Sequence, residues 1–251
     1  MSRPTITFET KCYENDWEYL LKTDRLRKMI SSCRYDFDVA MLSINNVADY
    51  PTVRRYAEKL LSQGVITTIT NVAEHADEAL RFFRCDRDSF DGGYYYSIAE
   101  LTAIYLCTTD YLLHFSSDSI MWNEDDWIGA ALDMMEKDRR IAVANPTWNN
   151  KYHRAKEAAY DENDDFYIAN GFSDQCYLIR TAVFRAPVYN ETNDVCDSVF
   201  PAHGGNSFEK KADAYLRNHG YLRITHKRAS YRHRNFSRNR LKKWLITHLP
   251  V

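Results

Sequence analysis

The stretch Asp110-Tyr111-Leu112-Leu113-His114-Phe115-Ser116-Ser117-Asp118 is an apolar run that ends in a short polar cluster closed by a carboxylate. A helix-like segment, Ser97–Thr108, precedes it, and another begins near Glu124. A buried strand entered from one helix and left toward another is the unit of an α/β sheet. Ligands of open α/β sheets bind beyond the carboxyl ends of the strands. The pattern therefore puts Asp118 at a binding edge, as a candidate contact for a metal or a phosphate.

Upstream, Thr5–Thr10 alternates and is β-branched, which predicts a first strand. Trp17–Ile30 spaces its apolar residues helically and predicts one helix. Phe37–Ile44 is a nearly continuous apolar strand, as expected when both faces of a sheet are covered. Tyr50–Gln63 predicts a helix stopped by Gly64 in a left-handed cap, and Val65–Thr70 a third strand. This β-α-β-α-β order argues for parallel pairing with right-handed crossovers. Leu80–Tyr95 has no clear period, and Gly92-Gly93 marks a turn.

Downstream, Trp127–Lys137 predicts an amphipathic helix and Ile141–Ala144 a strand ended by Asn145-Pro146. Asn149–Asp165 reads as a polar loop or exposed helix, and Phe166–Ala169 and Gln175–Arg180 as strands around a turn at Gly171. Pro187–Gly205 has the composition of an active-site loop. Phe208–Asn218 predicts a helix stopped by Gly220, followed by a strand at Tyr221–Thr225. Residues 234–251 form a basic tail with Leu241, Trp244, Leu245 and Leu249 at helical spacing.

Composition bounds the function. The chain has 251 residues, and 45% of them are hydrophobic, enough for a real core. A net charge of -2 lacks the electrostatic footprint of a nucleic-acid binder. The charge is uneven: 157–165 is acidic, whereas 223–243 is basic and suits phosphates or an anionic membrane surface. The six cysteines form no Cys-x-x-Cys pair and read as free thiols of a reducing compartment. No signal-peptide core and no spanning apolar run are present. The expectation is a cytoplasmic protein, or one peripheral at the inner face of a membrane.

Several segments together resemble the nucleotide-sugar-dependent glycosyltransferases of the GT-A fold, bacterial polysaccharide type. They are Thr5–Glu18; Leu42-Ser43-Ile44-Asn45-Asn46; Tyr111–Asp118; Ile141–Trp148; Gly171-Phe172-Ser173-Asp174-Gln175; Asn206-Ser207-Phe208-Glu209; and Tyr231-Arg232-His233. The resemblance covers most of residues 4–233. It implies a GT-A-like α/β fold, with a Rossmann-like central mixed sheet flanked by helices in a single domain. About 1–148 would bind the donor, 149–233 the acceptor, and 234–251 would form a basic amphipathic tail.

In the family a DxD motif ends the fourth strand and holds a divalent metal on the donor diphosphate. The matching stretch here is Ser116-Ser117-Asp118, with Ser116 in place of the first acid. The resemblance thus implies Asp118 as a ligand of Mn²⁺ or Mg²⁺, with the late His233 joining it and His226 as competitor. Glu124, Asp125 and Asp126 are read instead as acids at a helix start. The family's xED-like base maps to Ser207-Phe208-Glu209, with Lys210 replacing the second acid; Asp174 is the second candidate for base or acceptor contact. Ser207 and Glu209 also suit a helix cap and first turn. Glu9, Thr10, Lys11, Asn45, Asn46, Ser97 and Ser116 are the implied nucleotide contacts, although Asn45-Asn46 is also an ordinary turn pair and Ser97 an ordinary helix cap. Arg232 and Arg234 stand near the expected diphosphate.

The implied reaction is metal-assisted, inverting sugar transfer from a nucleotide-sugar donor to a glycan or lipid-linked acceptor. Trp244 among Lys and Arg in the tail suits peripheral membrane contact, or a terminal helix packed on the domain. Two rival readings stand beside it. A sugar nucleotidyltransferase needs a Gly-rich loop after the first strand, and Thr10–Asp16 has no Gly. A degenerate nucleotide- or glycan-binding protein without turnover draws on Ser116.

Overall fold

The structure is a computed structural model that describes residues 3–248 apart from 124, 202, 203 and 238, with only the backbone at 188, 240 and 248. Glu124, Arg238 and Leu249, and the side chain of Arg240, therefore lie outside the described residues.

The chain runs through β1 (Ile6–Cys12), α1 (Trp17–Leu21), α2 (Arg25–Ser32), β2 (Val39–Ile44), α3 (Tyr50–Ser62), β3 (Thr68–Asn71) and α4 (Val72–Phe83). Then come α5 (Ile98–Leu106), β4 (Tyr111–Phe115), β5 (Ser119–Met121), α6 (Trp127–Lys137), β6 (Ile141–Trp148) and α7 (Tyr152–Ala158). The remainder is β7 (Asp161–Glu162), β8 (Phe166–Ala169), β9 (Cys176–Arg180), α8 (Thr181–Phe184), α9 (Asp194–Val199), α10 (Phe208–Asn218), β10 (Leu222–His233) and α11 (Arg240–His248). One mixed sheet has the order β3-β2-β1-β4-β9-β6-β10-β8-β7, and β5 adds to β10. β3, β2, β1 and β4 are parallel. β9 enters antiparallel between β4 and β6, and β10 is parallel to β6 and antiparallel to β8.

Strand alternation sorts the core into two layers. Ile6 and Phe8 of β1, Leu113 and Phe115 of β4, and Leu178 of β9 pack under α1, α2, α3 and α6. Leu112, Tyr177 and Ile179 face the other way, under α4, α5 and α10. α5 is buried nearly all round, which its apolar composition requires.

Several elements depart from the sequence reading, among them α4, β5 and α9, which it did not expect. The expected single helix Trp17–Ile30 is two helices, broken at Lys22-Thr23-Asp24, where the Thr23 hydroxyl donates back to Tyr19 O at 2.6 Å. The third strand starts three residues late, because Val65 and Thr67 are held by backbone bonds to Leu60 and Ala40. Pro146 does not end β6. The strand runs on to Trp148, because β9 pairs with it only at Val143 and Ala144 and the edge beyond needs no N–H donor. β10 extends past Thr225 to His233 through a bulge between His226 and Ser230. Gly64 has φ +67, as a left-handed cap requires. All six cysteines are free. Among the described residues no helix is long and apolar enough to cross a membrane.

Candidate active site

β4 ends in Ser116, Ser117 and Asp118, and the chain turns at once into β5, with Ser119 N donating to Ser116 O at 2.9 Å. β5 pairs antiparallel with the end of β10, His233 opposite Ser119. That register brings His233 Nε2 to 3.2 Å from Asp118 Oδ2. The Ser116 hydroxyl donates to Asp118 Oδ1 at 3.0 Å. Burial works to raise the Asp118 carboxyl, but the His233 hydrogen bond and charge outweigh it and hold the group below its ordinary range. The same hydrogen bond raises the His233 imidazole.

Asp16, in the turn after β1, supports this loop. Its carboxylate accepts the Ser117 hydroxyl, and the Tyr13 N–H at 2.6 Å. Burial pushes the Asp16 carboxyl up to about 6 against those two hydrogen bonds. Arg25, opening α2, donates to Ser117 O at 2.8 Å and to Ser119 O at 3.3 Å. The Asp118 loop is thus clamped from α2 and from the end of β1.

The other wall comes from Gly171–Gln175 and the start of α10. Ser207 is the N-cap, its hydroxyl accepting from Lys210 N at 3.4 Å. Glu209, in the first turn, accepts the Asp174 N–H at 3.4 Å. Burial first, and the neighbouring Asp174 carboxylate second, push the Glu209 carboxyl up to about 8. A cavity of about 400 Å³ opens beside it, bordered by Phe172, Phe200, Arg217 and Arg223. Arg217 is held by Asp213 at 2.8 Å, whereas Arg223 Nε is buried without a hydrogen-bond partner among the described residues.

Asp118 lines one cavity and Glu209 another, and Asp174 lies within charge range of Glu209, of Lys11 and of the His233 that pairs with Asp118. Lys11 is tied to Glu100 of α5, with its ammonium 5.6 Å from the Tyr13 ring centroid. Tyr13 in turn stacks on Tyr95 at 5.7 Å. At the tip of β2, Asn45 is buried and its Nδ2 donor is unpaired among the described residues; Asn46 is exposed with φ +49.

Three of the expected nucleotide contacts lie beneath the cleft surface. The Glu9 carboxylate is spent on the Ser43 hydroxyl at 2.6 Å and on His114 at 2.5 Å. The Thr10 hydroxyl donates to Phe115 O at 2.7 Å. The Ser97 hydroxyl donates to Gly93 O at 2.7 Å and accepts Phe208 N–H at 2.8 Å, tying α5 to α10 rather than capping its own helix. His226 is fully buried, and its Nδ1 accepts the Ala229 N–H at 2.7 Å. Asp126 caps α6 through Gly129 N, and Asp125 lies 3.8 Å from Arg228, so both serve structure. Sequence reasoning missed Asp16, Glu100, Tyr95 and the Arg217–Arg223 pair. The polar turn Tyr13–Asp16 after β1 was the only signal, and the other partners come together solely through the fold.

The residues fit a divalent cation at one corner. Two ligands in adjacent positions of an octahedron, each at about 2.0–2.1 Å from the metal, stand about 3 Å apart, and Asp118 Oδ2 and His233 Nε2 meet that spacing at 3.2 Å. Among the described residues no group of three or more His, Cys, Asp or Glu could hold a metal. The remaining positions would thus fall to phosphate oxygens and water.

The sheet order and the likeness to solved structures define a class: the chain has the GT-A fold. Among solved structures it is similar to GalNAc-T7 with UDP, GalNAc and Mn²⁺, with a TM-score of 0.55, 8% identity, and coverage of 92% of this chain and 44% of that one. It is similar also to the mannosyltransferase PcManGT from Pyrobaculum calidifontis in complex with GDP-Man and Mn²⁺ (0.55, 14% identity, 98% and 61% of the chains). A third is S. aureus TarS (0.51, 11% identity, 97% and 39%). The chain thus spans less than two thirds of the length of each. No family model and no curated protein matches the sequence.

Proposed function

We propose that the cleft transfers a sugar, of the hexosyl type, from a nucleotide-sugar donor to a glycan or lipid-linked acceptor, as in bacterial polysaccharide synthesis. Residues 1–148 serve the donor and 149–233 the acceptor, with 234–251 as a tail that brings the protein peripherally to the inner face of a membrane. The observation that carries the reading is the Asp118–His233 pair, 3.2 Å apart where β4 ends, together with Glu209 in the first turn of α10, which accepts the Asp174 N–H at 3.4 Å. The pair is suited to a metal, and Glu209 can serve as base once it has lost its own proton.

Asp118 and His233 would hold Mn²⁺ or Mg²⁺, which would neutralise charge building on the leaving diphosphate. Lys11, Asn45 and Asn46 border the nucleotide; the unpaired Asn45 amide is a ready donor to its base or ribose. Glu9, Thr10 and Ser97 brace these contacts from below, and Ser116 orients Asp118. On the acceptor side Glu209 takes the hydroxyl proton, with Asp174 keeping its basicity high. The acceptor oxygen bonds to the anomeric carbon as the bond to the diphosphate oxygen breaks on the opposite face, so the configuration inverts.

Thermal-shift measurements with UDP, GDP, CMP and dTDP, with and without Mn²⁺, test the donor half. One nucleotide should stabilise the protein more with Mn²⁺ than without, and Asp118→Ala should abolish the difference. If no nucleotide shifts the wild type, the donor assignment falls. A second reading, binding without turnover, draws on two substitutions at the motifs: Ser116 hydrogen-bonds Asp118 where an acid would stand, and Lys210 is engaged by Asp197 at 2.7 Å. Nucleotide binding with no sugar release or transfer across a donor panel would favour it.

A further inference from the structure

A larger cavity, about 1320 Å³, lies between α1–α3 and the segment that follows β10; Asp118 is on its wall, whereas Glu209, Lys11, Asn45 and Asn46 are not among its lining residues. Its charge is one-sided. Lys22, Arg25, Lys28 and Lys59 line it from the helices. Arg232, Arg234 and Lys242 line it from the other side, and among the described residues only Asp24 and Asp118 oppose these seven cations on the walls. Lys22 is answered by Glu18 at 2.6 Å, and Arg25 by the carbonyls of the Asp118 loop. Glu18 is also committed to Lys243 at 2.6 Å. Lys59 and Arg232 rest over the rings of Tyr56 and Trp122 rather than on carboxylates. Lys28, Arg234 and Lys242 have no ion pair among the described residues. Like charges gathered around one space repel each other unless an anion enters.

The rim adds a second property. Phe236 and Ile246 line the cavity. On the same terminal helix, α11, Leu241, Trp244, Leu245 and Ile246 are exposed, at 67%, 51%, 40% and 46%. A cationic hollow beside an exposed apolar helix face matches a ligand with a phosphate head and an apolar body.

We propose that this cavity binds the phosphate group of a phosphate-bearing ligand other than the nucleotide donor, with a lipid phosphate as the form that α11 fits. The site stands whether or not the cleft transfers sugar. If it does, Asp118 on the cavity wall puts the bound phosphate next to the donor diphosphate, where a phosphate-bearing acceptor belongs.

The test uses the full chain without divalent cation. Flotation with phosphatidylcholine vesicles, with and without phosphatidic acid, reports the lipid source; a thermal shift with inorganic pyrophosphate reports the soluble one. Lys28→Glu with Lys59→Glu reverses charge on two helices away from the cleft residues. Lys137→Glu is the control for net charge. The wild type should bind phosphatidic acid vesicles selectively, and the paired variant should lose at least about tenfold in affinity, while the control keeps it. The paired variant should also retain its nucleotide shift, so that a failure of the donor reading stays separate. A pyrophosphate shift abolished by the paired variant, without vesicle preference, supports a soluble phosphate ligand. Equal binding of wild type and paired variant to both probes, or no binding to either, overturns the proposal.

Discussion

Glu209 is the residue on which chemistry and stability meet. With its carboxyl near 8 rather than 4.5, it carries a proton at neutral pH in the free protein. A general base must first lose that proton, so kcat/KM should rise about tenfold per pH unit below about 8 and level above it. Glu209→Gln should cost about 10²–10⁴-fold in rate and remove the rise. A pH-independent rate between 5.5 and 8, expressed as kcat/KM, would show that another group titrates. The same shift bears on folding. The folded chain holds this proton more tightly than the unfolded one, so stability is full below pH 4.5, falls as pH rises, and levels only above about 8. Urea unfolding across that window should show the slope in the wild type and lose it in Glu209→Gln. Lys11 and Glu100 make the opposite kind of pair, almost completely buried on the α5 face. Glu100→Gln leaves the ammonium without its nearest counter-charge and should cost about 3–5 kcal/mol. A loss below about 1 kcal/mol, the range of exposed pairs, would mean that Asp174 and Glu9 suffice to hold Lys11.

At the scale of elements, the cleft depends on how closely two loops cross. Gly205 has φ +59, and a Cβ there would lie 2.1 Å from Asp91 O. A Cβ on Gly93 would meet Gly204 O and Ser207 N at 2.9 Å each. Backbone against backbone cannot yield as a side chain can, so Gly205→Ala must separate the loop before α5 from the one before α10. We expect a loss of about 1–3 kcal/mol from strain at this position, read by urea unfolding, together with a weaker response to any nucleotide that stabilises the wild type. Unchanged stability would show that the loops can part without cost. Such crossings are invisible in sequence, where Gly92-Gly93 reads only as a turn. What was legible was local. Trp127–Lys137 and Phe208–Asn218 match the expected bounds because period, cap and stop signals agree there. The α1–α2 break was hidden because Leu20, Leu21, Leu26 and Met29 keep one buried face through it. The continuation of β10 was hidden by the polar bulge Lys227-Arg228.

At the scale of the molecule, the order of segments carried the fold, since parallel strands with helices on both faces permit few arrangements. It also carried Asp118 and His233 to one corner, because β5 folds back on β10. It could not carry Asp16, Glu100 or Arg223, whose roles arise from partners far along the chain. The placement of β10 has one more effect. This strand, the last among the described residues, sits inside the sheet between β6 and β8 rather than at an edge. During synthesis the ribosome must therefore make β1–β9 before the gap can close. Until then β6 and β8 offer bare hydrogen-bonding rims that other nascent chains can capture. A chain halted at residue 221 should accumulate in inclusion bodies and fail to show a cooperative melt. If that fragment stays monomeric and melts sharply, the sheet assembles without its central closing strand.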